Sequence, residues 1–201
     1  MTHPDPPTGS RDDLPPAWIR AIRAGDADAL ARWYRAEHPA VWRLCLGFLA
    51  DRTEADDAAQ DAMLQLLDTL DRYDPRRPWP LWRNSIVLNQ CRDRRRRRAA
   101  RQRAETAVVQ ETSSAPPDDP ADAAARAEVG DLVTQSLAHL SPREREAFVL
   151  HDLEGDSTAE VAAALAIAES TVRVLLATAR RRLRELLAPR LAGGPAGEAR
   201  A

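Results

Sequence analysis

The segment STAEVAAALAIAESTVRV, residues 157–174, decides the fold of the second half of this chain of 201 residues. Ser157 and Glu160 have the spacing of a capping box, in which each side chain accepts a hydrogen bond from the other residue's backbone N–H, so a helix is expected to begin here. A short helix, a tight turn at residues 165–168 and a longer helix from Glu169 have the lengths of a helix-turn-helix. The pattern alone leaves an ordinary helical hairpin open as the alternative.

Further helices are expected on both sides of this segment. Apolar periodicity over residues 129–140 predicts one helix, and Ser141-Pro142-Arg143-Glu144 is a second capping box with proline at the first helical position. Gly155 is expected to end the helix that this box opens. The last helix is predicted over Thr171 to Leu187 and carries the cluster Arg180-Arg181-Arg182.

The first half shows four helical segments by the same criteria. The first starts at Pro15-Pro16 and ends near Gly25, Asp26 caps a second, and a third follows Pro39. Thr53 is a candidate cap for the fourth.

The fourth segment has an apolar side and a polar, mostly acidic side, which predicts an amphipathic helix. The expected inner side consists of Ala59, Met63, Leu66, Leu67 and Leu70. The expected outer side consists of Asp57, Gln60, Asp61, Gln65, Asp68 and Asp71.

A proline-rich break separates this helix from a basic one. Tyr73-Asp74-Pro75 ends the helix, and a loop from Arg76 to Pro80 holds Trp79. Leu81 to Arg98 is then predicted as one long helix, whose end is the uninterrupted run Arg94 to Arg98.

Composition and charge indicate an all-α protein of two small helical domains joined by a flexible acidic linker. Residues 1–74, 75–104, 105–160 and 161–201 carry net charges of −6, +10, −10 and +4. Two basic blocks within an acidic protein suggest two polyanion contacts, with solvated helix ends as the alternative.

The predicted division of the chain follows the composition shifts. The expected segments are a disordered N-terminus (1–14), a first domain (15–98), a linker (99–125), a helix-turn-helix domain (126–188) and a flexible tail (189–201).

Several functional classes are disfavoured by what the sequence lacks. Cys45 and Cys91 have neither disulfide-framework nor zinc-site spacing, and the four histidines are scattered. No catalytic constellation and no phosphate-binding loop occurs, so we expect no enzyme, no cofactor and no metal. No stretch approaches the roughly 20 apolar residues of a membrane span, and the first 16 residues lack a signal-peptide core, so a cytoplasmic location without membrane insertion is expected.

The motifs together resemble one family, the extracytoplasmic-function (ECF) sigma factors of the sigma-70 class, over about residues 18–187. In the second half the resemblance rests on residues 140–150, 153–155, 157–162 and 171–173, with Ala179, Arg180 and Leu183. In the first half it rests on Ala24-Gly25-Asp26, Ala29, Asp57, Gln60, Asp61, Trp82, Ile86, Asn89, Asp93 and the arginine run.

The resemblance implies a transcription initiation factor whose partners are the clamp and flap surfaces of core RNA polymerase, promoter DNA and possibly an anti-sigma factor, the chain being monomeric when unbound. It implies polymerase contacts by Asp57, Gln60, Asp61, Leu64, Gln65 and Asp68. It implies contacts with the −10 element by Trp79, Trp82, Asn89, Arg92, Arg94, Arg95, Arg96 and Arg97. It implies contacts with the −35 element by Ser157, Ser170, Thr171, Arg173, Arg180 and Arg181.

The chain departs from the family pattern at several positions. Alanines occupy positions 166 and 168, where the family usually has glycine and a serine cap, and Ser85 replaces a basic residue. Val174, Leu175, Ala177 and Thr178 replace most of the basic or polar residues of the recognition helix, which leaves Arg173 as the main candidate reader. Ala58 and Ala59 stand where larger aliphatic residues are common.

Two other functions fit parts of the sequence. A stand-alone regulator would use only the helix-turn-helix, as a dimer on paired half-sites. A sigma-like decoy would sequester a partner protein and bind no DNA. For the initiation factor, replacing Arg94 to Arg97 with alanine is expected to lower open-complex formation and flatten its salt dependence.

Overall fold

The computed structural model describes residues 16–106 and 132–192, and every regular element within them is helical, which confirms the all-α fold. The predicted disordered N-terminus (1–14), most of the predicted linker and the end of the predicted tail (193–201) lie outside the described residues. The chain divides into two compact units, and each is described by itself.

The N-terminal unit consists of four α-helices and one short turn of 3₁₀-helix. In chain order these are α1 (Pro16–Arg23), α2 (Ala27–Leu49), α3 (Arg52–Asp68), the 3₁₀ turn (Leu70–Arg72) and α4 (Trp79–Thr106). Helices α2 and α3 form the main packed pair. The buried part of α3 consists mostly of alanines, including Ala58 and Ala59, so the large core side chains come mainly from α2, among them Trp33 and Phe48.

Helix α2 is longer than predicted because Pro39 lies inside it and does not separate two helices. Proline removes one intrahelical hydrogen bond, and here the buried positions on both sides of it, including Trp33 and Leu44, hold the helix in register. Helix α3 begins two residues earlier than expected. Its N-cap is Asp51, whose carboxylate accepts a hydrogen bond from the Glu54 backbone N–H at 3.1 Å, so the predicted Thr53 cap is wrong.

Helix α4 exceeds its predicted bounds at both ends. It begins at Trp79, within the predicted loop, and it continues to Thr106, so residues 99–106 of the predicted linker are helical. The extension AARQRAET consists mostly of good helix formers, and the composition shift that suggested a linker begins only after it.

The C-terminal unit contains the helix-turn-helix. Its elements are α5 (132–138), α6 (Pro142–Phe148), one turn of π-helix (Val149–Leu153), α7 (Thr158–Leu165) and α8 (Glu169–Ala192). Both predicted capping boxes form, with Ser141 paired to Glu144 and Ser157 to Glu160. Helix α8 continues through Pro189 to Ala192, so the predicted tail begins as helix.

The directions of α7 and α8 differ by 102°. This angle lies within the range of helix-turn-helix motifs, so the predicted motif is confirmed over the plain hairpin. The buried side of the motif consists of Val161, Leu165, Val172, Leu176 and Ala179. Within the described parts of the chain, no single helix is long and apolar enough to cross a membrane; only the bent α7–α8 pair passes that test of length and composition.

Two alanines adopt the left-handed backbone conformation that favours glycine. Ala166, at the corner between α7 and α8, has φ 53° and ψ 50°, and Ala50, at the corner between α2 and α3, has φ 53° and ψ 36°. The Cβ atom of alanine makes this conformation unfavourable by about 1 kcal/mol relative to glycine. The corner between α7 and α8 therefore keeps the left-handed conformation although alanine, and not glycine, occupies it.

We expect Ala166→Gly to stabilise the C-terminal unit and Ala50→Gly to stabilise the N-terminal unit, each by about 1 kcal/mol in the free energy of unfolding. All five tryptophans lie between residues 18 and 82, so tryptophan fluorescence follows only the N-terminal unit, whereas far-ultraviolet circular dichroism follows both. The Ala166 variant should shift a circular-dichroism transition and leave the fluorescence transition unchanged. A shift of the fluorescence transition by Ala166→Gly would contradict the assignment.

Candidate polymerase and nucleic-acid interfaces

The polar side of α3 is exposed as predicted. Asp57, Gln60, Asp61, Gln65 and Asp68 are all exposed, and the inner-side residues are buried except for Leu67, which is half-buried. Leu64 projects from the middle of this face with 62% of its surface exposed. The face therefore combines acidic and amide side chains with one exposed apolar side chain.

An apolar groove of about 610 Å³ lies between α2 and α3, directly beside this face. It is lined by Ala27, Leu30, Ala31, Trp33, Tyr34, Arg35, Gln60, Met63, Leu64 and Leu67. Leu30 and Tyr34, which α2 contributes to this lining, are not among the site residues that the resemblance implies. Tyr34 is in fact 41% exposed, and its ring stacks on that of His38 with centroids 5.1 Å apart. Only the packing of the two helices reveals that α2 supplies half of the groove.

Arg94 is bound by carboxylates of α3. Its guanidinium donates to Glu54 and Asp57 at 2.5 Å each and lies 3.4 Å from Asp61. Arg98 pairs in the same way with Asp51 at 3.2 Å. The charge of Arg94 is thus compensated within the domain, and the contact with the −10 element that the resemblance implies for it remains a prediction.

Trp79 forms part of an aromatic cluster in the core. Only 2% of its surface is exposed, and its ring centroid lies 5.1 Å from that of Tyr73 and 5.0 Å from that of Trp82. The Tyr73 hydroxyl donates to the backbone carbonyl of Arg77 at 2.8 Å, which anchors the loop before α4 to the cluster. Trp79 therefore belongs to the core in this structure and Trp82 is half-buried, and the contacts with the −10 element that the resemblance implies for both remain predictions.

A buried polar cluster attaches α4 to α2. Arg83 donates to the side-chain oxygen of Asn84 at 3.0 and 3.1 Å and lies 3.4 Å from Glu37. Next to it, Ser85 donates to the backbone carbonyl of Trp82 at 2.7 Å, so this departure from the family pattern serves helix geometry. The cluster sets the orientation of the helix that carries the basic residues.

The remaining predicted −10 residues lie along α4 after this cluster. Asn89, Arg96 and Arg97 are exposed, and Arg92 and Arg95 are half-buried. Arg96 also pairs with Asp93 one turn earlier. Gln90, on the next position after Asn89, donates to Gln65 of α3. The exposed basic side chains therefore alternate along α4 with Arg94 and Arg98, which pair with carboxylates at α3.

The first turns of α8 present small and polar side chains to solvent. Ser170, Thr171 and Arg173 are exposed, and Arg173 pairs with Glu169 at 3.0 Å. Ser157 is exposed at the start of α7, where its hydroxyl caps the helix by accepting from the Glu160 N–H. The side chains predicted to face the −35 duplex are therefore brought to the exposed start of each helix of the motif.

Three arginines further along α8 are engaged in ion pairs. Arg180 makes a bidentate pair with Asp152, at 2.8 and 2.5 Å. Arg182 donates to Glu144 at 2.7 Å, the same glutamate that closes the first capping box. Arg181 lies 3.7 Å from Glu185 and remains largely exposed. Arg180 is thus a structural link between α8 and the π turn, and the −35 contact that the resemblance implies for it remains a prediction.

The Arg180–Asp152 pair makes the C-terminal unit sensitive to acid. The hydrogen bonds from Arg180 hold the pKa of Asp152 below its ordinary value, against the opposing effect of burial. Because the pKa is lower in the folded state, the pair stabilises the unit above the unfolded value of about 3.9 and loses this contribution as pH falls through the folded pKa. We expect Asp152→Asn to destabilise the unit at pH 7 and to match the wild type at the lowest pH.

Unfolding followed by circular dichroism between pH 7 and pH 2 checks this expectation. Arg180→Gln should have the same effect as Asp152→Asn, and the double variant should lose little more than either, because the two side chains form one interaction. Additive losses in the double variant would contradict the assignment.

The two cysteines lie together inside the N-terminal unit. Cys45 and Cys91 are buried thiols, and hydrogen bonding between them together with burial raises the pKa of Cys91 well above its usual value. In the two described ranges, no group of three or more histidine, cysteine, aspartate or glutamate side chains is arranged to hold a metal ion.

Comparison with known proteins gives matches for both units. Residues 33–101 match the family model for sigma-70 region 2, and residues 131–183 match the model for sigma-70 region 4. The chain is 36% identical over 182 residues to the ECF RNA polymerase sigma factor SigM of Mycobacterium tuberculosis, covering 89% of this chain and 88% of SigM. It is 27% identical over 176 residues to the ECF RNA polymerase sigma factor SigW of Bacillus subtilis, covering 84% and 94%.

Solved structures have the same fold. The sigma factor RpoE of Bartonella quintana, in complex with the anti-sigma factor NepR, matches with a TM-score of 0.63 at 23% identity, over 79% of this chain and 96% of RpoE. CnrH in complex with the cytosolic domain of CnrY matches with a TM-score of 0.57 at 26% identity, over 86% of this chain and 96% of CnrH.

Proposed function

This chain belongs to the ECF sigma factors of the sigma-70 family, and we propose that its N-terminal unit docks on core RNA polymerase and opens the −10 DNA while its C-terminal unit binds the −35 duplex. The observation that carries the proposal is the succession, on one chain, of an acidic face beside an apolar groove, a basic helix and a helix-turn-helix with a 102° bend. In this proposal the face and groove bind polymerase, the basic helix binds the −10 DNA, and the helix-turn-helix binds the −35 duplex.

The polymerase-binding surface is the exposed face of α3 together with the adjoining groove. The face comprises Asp57, Gln60, Asp61, Leu64, Gln65 and Asp68. An apolar groove beside an acidic face favours a partner segment that is apolar where it fills the groove and basic where it meets the face. This surface binds the clamp, and the C-terminal unit binds the flap.

The −10 contact lies on the exposed part of α4. Asn89, Arg92, Arg95, Arg96 and Arg97 supply polar groups and positive charge for a melted strand, and the accessible edge of Trp82 supplies an aromatic surface. Arg94 acts through Glu54 and Asp57 by holding α4 against α3, so it is a positioning residue in this proposal.

The −35 contact lies on the starts of α7 and α8. Backbone N–H groups at helix starts bind phosphate well, and the second helix of such a motif meets base edges with its first turns. Ser157 caps α7 here, while Ser170, Thr171 and Arg173 lie on the first turns of α8, with Arg181 further along for the phosphate backbone.

The groove also offers a site for an anti-sigma factor. A protein inhibitor that fills the groove would cover Leu64 and so block polymerase directly. The solved relative CnrH was determined bound to another protein, the cytosolic domain of CnrY. The unbound chain is proposed to be a cytoplasmic monomer that directs the chemistry of polymerase and carries out none of its own.

Run-off transcription from a genomic fragment library, with core polymerase in the presence and absence of this chain, tests the proposal. Discrete new transcripts that share upstream sequence are expected. Polymerase binding without new transcripts would favour a decoy that sequesters its partner, and no polymerase binding would favour a stand-alone duplex-binding regulator.

A further inference from the structure

The first turns of α8 carry an exposed apolar side chain that the fold does not use. Val174 is 65% exposed, whereas the packing side of the helix is formed by Val172, Leu176 and Ala179. Val174 lies three or four residues from Ser170, Thr171 and Ala177, so it shares the exposed stripe with them. An isolated exposed valine is ordinary on a protein surface, but this one occupies the part of the motif that enters a major groove.

The same stripe offers little cationic chemistry. Arg173 is the only basic residue between Glu169 and Ala179, and its guanidinium pairs with the Glu169 carboxylate at 3.0 Å. Arginine reads guanine by presenting two free N–H donors to its O6 and N7 atoms. The exposed pairing with Glu169 competes with such a contact, and these turns carry no second basic side chain.

The major groove contains one apolar group that a valine can contact. This is the C5-methyl of thymine, which projects into the groove and is read by alanine, by the methyl of threonine and by other apolar side chains. Thr171 and Ala177, which are both exposed, extend the methyl-bearing surface on either side of Val174. The stripe is therefore complementary to a duplex with thymine methyls at the base pairs that meet it.

We propose that Val174 is a specificity-determining residue that selects thymine in the upstream promoter duplex through contact with its C5-methyl. The proposal rests on the proposed function, because it requires α8 to enter promoter DNA. Burial of Val174 against the methyl removes apolar surface of both groups from water, and no hydrogen-bond donor of the protein is needed. The upstream element is then defined by methyl contacts more than by guanine contacts.

The test removes the methyl from either side of the contact. The holoenzyme is made from core polymerase and the full chain, and it selects its upstream element from a randomised duplex. The selected duplex is then remade with uracil in place of each thymine in turn. Uracil keeps the Watson–Crick pairing and lacks only the methyl. At the position that Val174 meets, we expect uracil to weaken holoenzyme binding about fourfold, the effect of burying one methyl-sized group.

Val174→Ala should weaken binding to the thymine duplex by a similar factor, and uracil at that position should then cause no further loss. Val174→Thr, which keeps one methyl and the shape of valine, should give an intermediate loss. Val133→Ala is the matched control, because Val133 lies on α5 and is 42% exposed. Uracil should weaken DNA binding by the Val133→Ala holoenzyme as much as it weakens binding by the wild type.

An equal loss on uracil substitution in the wild type and in Val174→Ala would overturn the inference, as would a selected element without thymine. If discrete run-off transcripts form while uracil is tolerated at every position, the inference fails and the proposed function stands. If the holoenzyme selects no upstream element and produces no transcripts, both fail.

Discussion

Leu64→Arg is expected to abolish binding of the chain to core RNA polymerase, with an affinity loss of about 100-fold or more, because truncation or charging of a central apolar anchor has this effect at protein interfaces. Leu64 is the largest exposed apolar side chain on the acidic face of α3 and also lines the groove beside it. An arginine there would carry its charge into a contact region that must lose water on binding. Loss of new transcripts should follow from the loss of polymerase binding.

The experiment measures binding to core polymerase without DNA, so that changes in promoter contact do not contribute. Ala100→Arg is the matched control, since it adds the same charge at an exposed position of α4. Tryptophan fluorescence verifies that the N-terminal unit of each variant unfolds as in the wild type. Equal binding by Leu64→Arg and Ala100→Arg would show that α3 is not the polymerase-binding surface.

Removing two arginines from the exposed end of α4 is expected to lower open-complex formation strongly and to reduce its salt dependence. In the double variant Arg96→Ala, Arg97→Ala, the slope of log K against log salt should fall in magnitude by about 1.4, since each phosphate contact on single-stranded DNA contributes about 0.7. Both side chains are exposed, and the partner of Arg96 is an aspartate on its own helix. They are therefore available to phosphates.

Arg94→Ala provides the comparison, because it removes an arginine that is ion-paired within the domain. Its guanidinium contacts Glu54, Asp57 and Asp61, so its removal leaves three carboxylates close together. We expect the N-terminal unit to lose about 1 to 2 kcal/mol of unfolding free energy, a value reduced by the partial exposure of the cluster. The slope of log K against log salt should stay at the wild-type value. If Arg94→Ala reduced the magnitude of this slope as much as Arg97→Ala alone, Arg94 would return to the DNA-binding group.

Much of the architecture could be predicted because local chemistry specifies it. The capping boxes at Ser141 and Ser157 define helix starts within a few residues, and the apolar periodicity of α3 separates its inner and outer sides. The helix-turn-helix is confirmed even though alanine holds its left-handed corner at Ala166. Helix ends were less predictable, because Pro39 and Pro189 are each tolerated within a helix that packing or neighbouring turns maintain.

The partners of the charged side chains could not be predicted in the same way. Arg94 and Arg97 are equivalent in the sequence, being two members of one arginine run, and yet one contacts three carboxylates of α3 while the other is exposed. The difference arises because side chains three residues apart on a helix point about 60° apart, and only the packing of α4 on α3 decides which direction meets the acidic face. The same holds for Arg180, which the fold places against Asp152.

The sequence by itself determined the helical class, the order of the two domains, the amphipathic α3 and the helix-turn-helix, since capping and periodicity act over one or a few turns. The tertiary structure alone decided that Trp79 is core, that Arg94 and Arg180 are ion-paired, that α2 and α3 enclose a groove and that Val174 is exposed. These properties depend on which faces of distant helices meet. The choice of contacting faces is set by the simultaneous burial of apolar side chains from several helices, so it cannot be predicted from any single segment of the sequence.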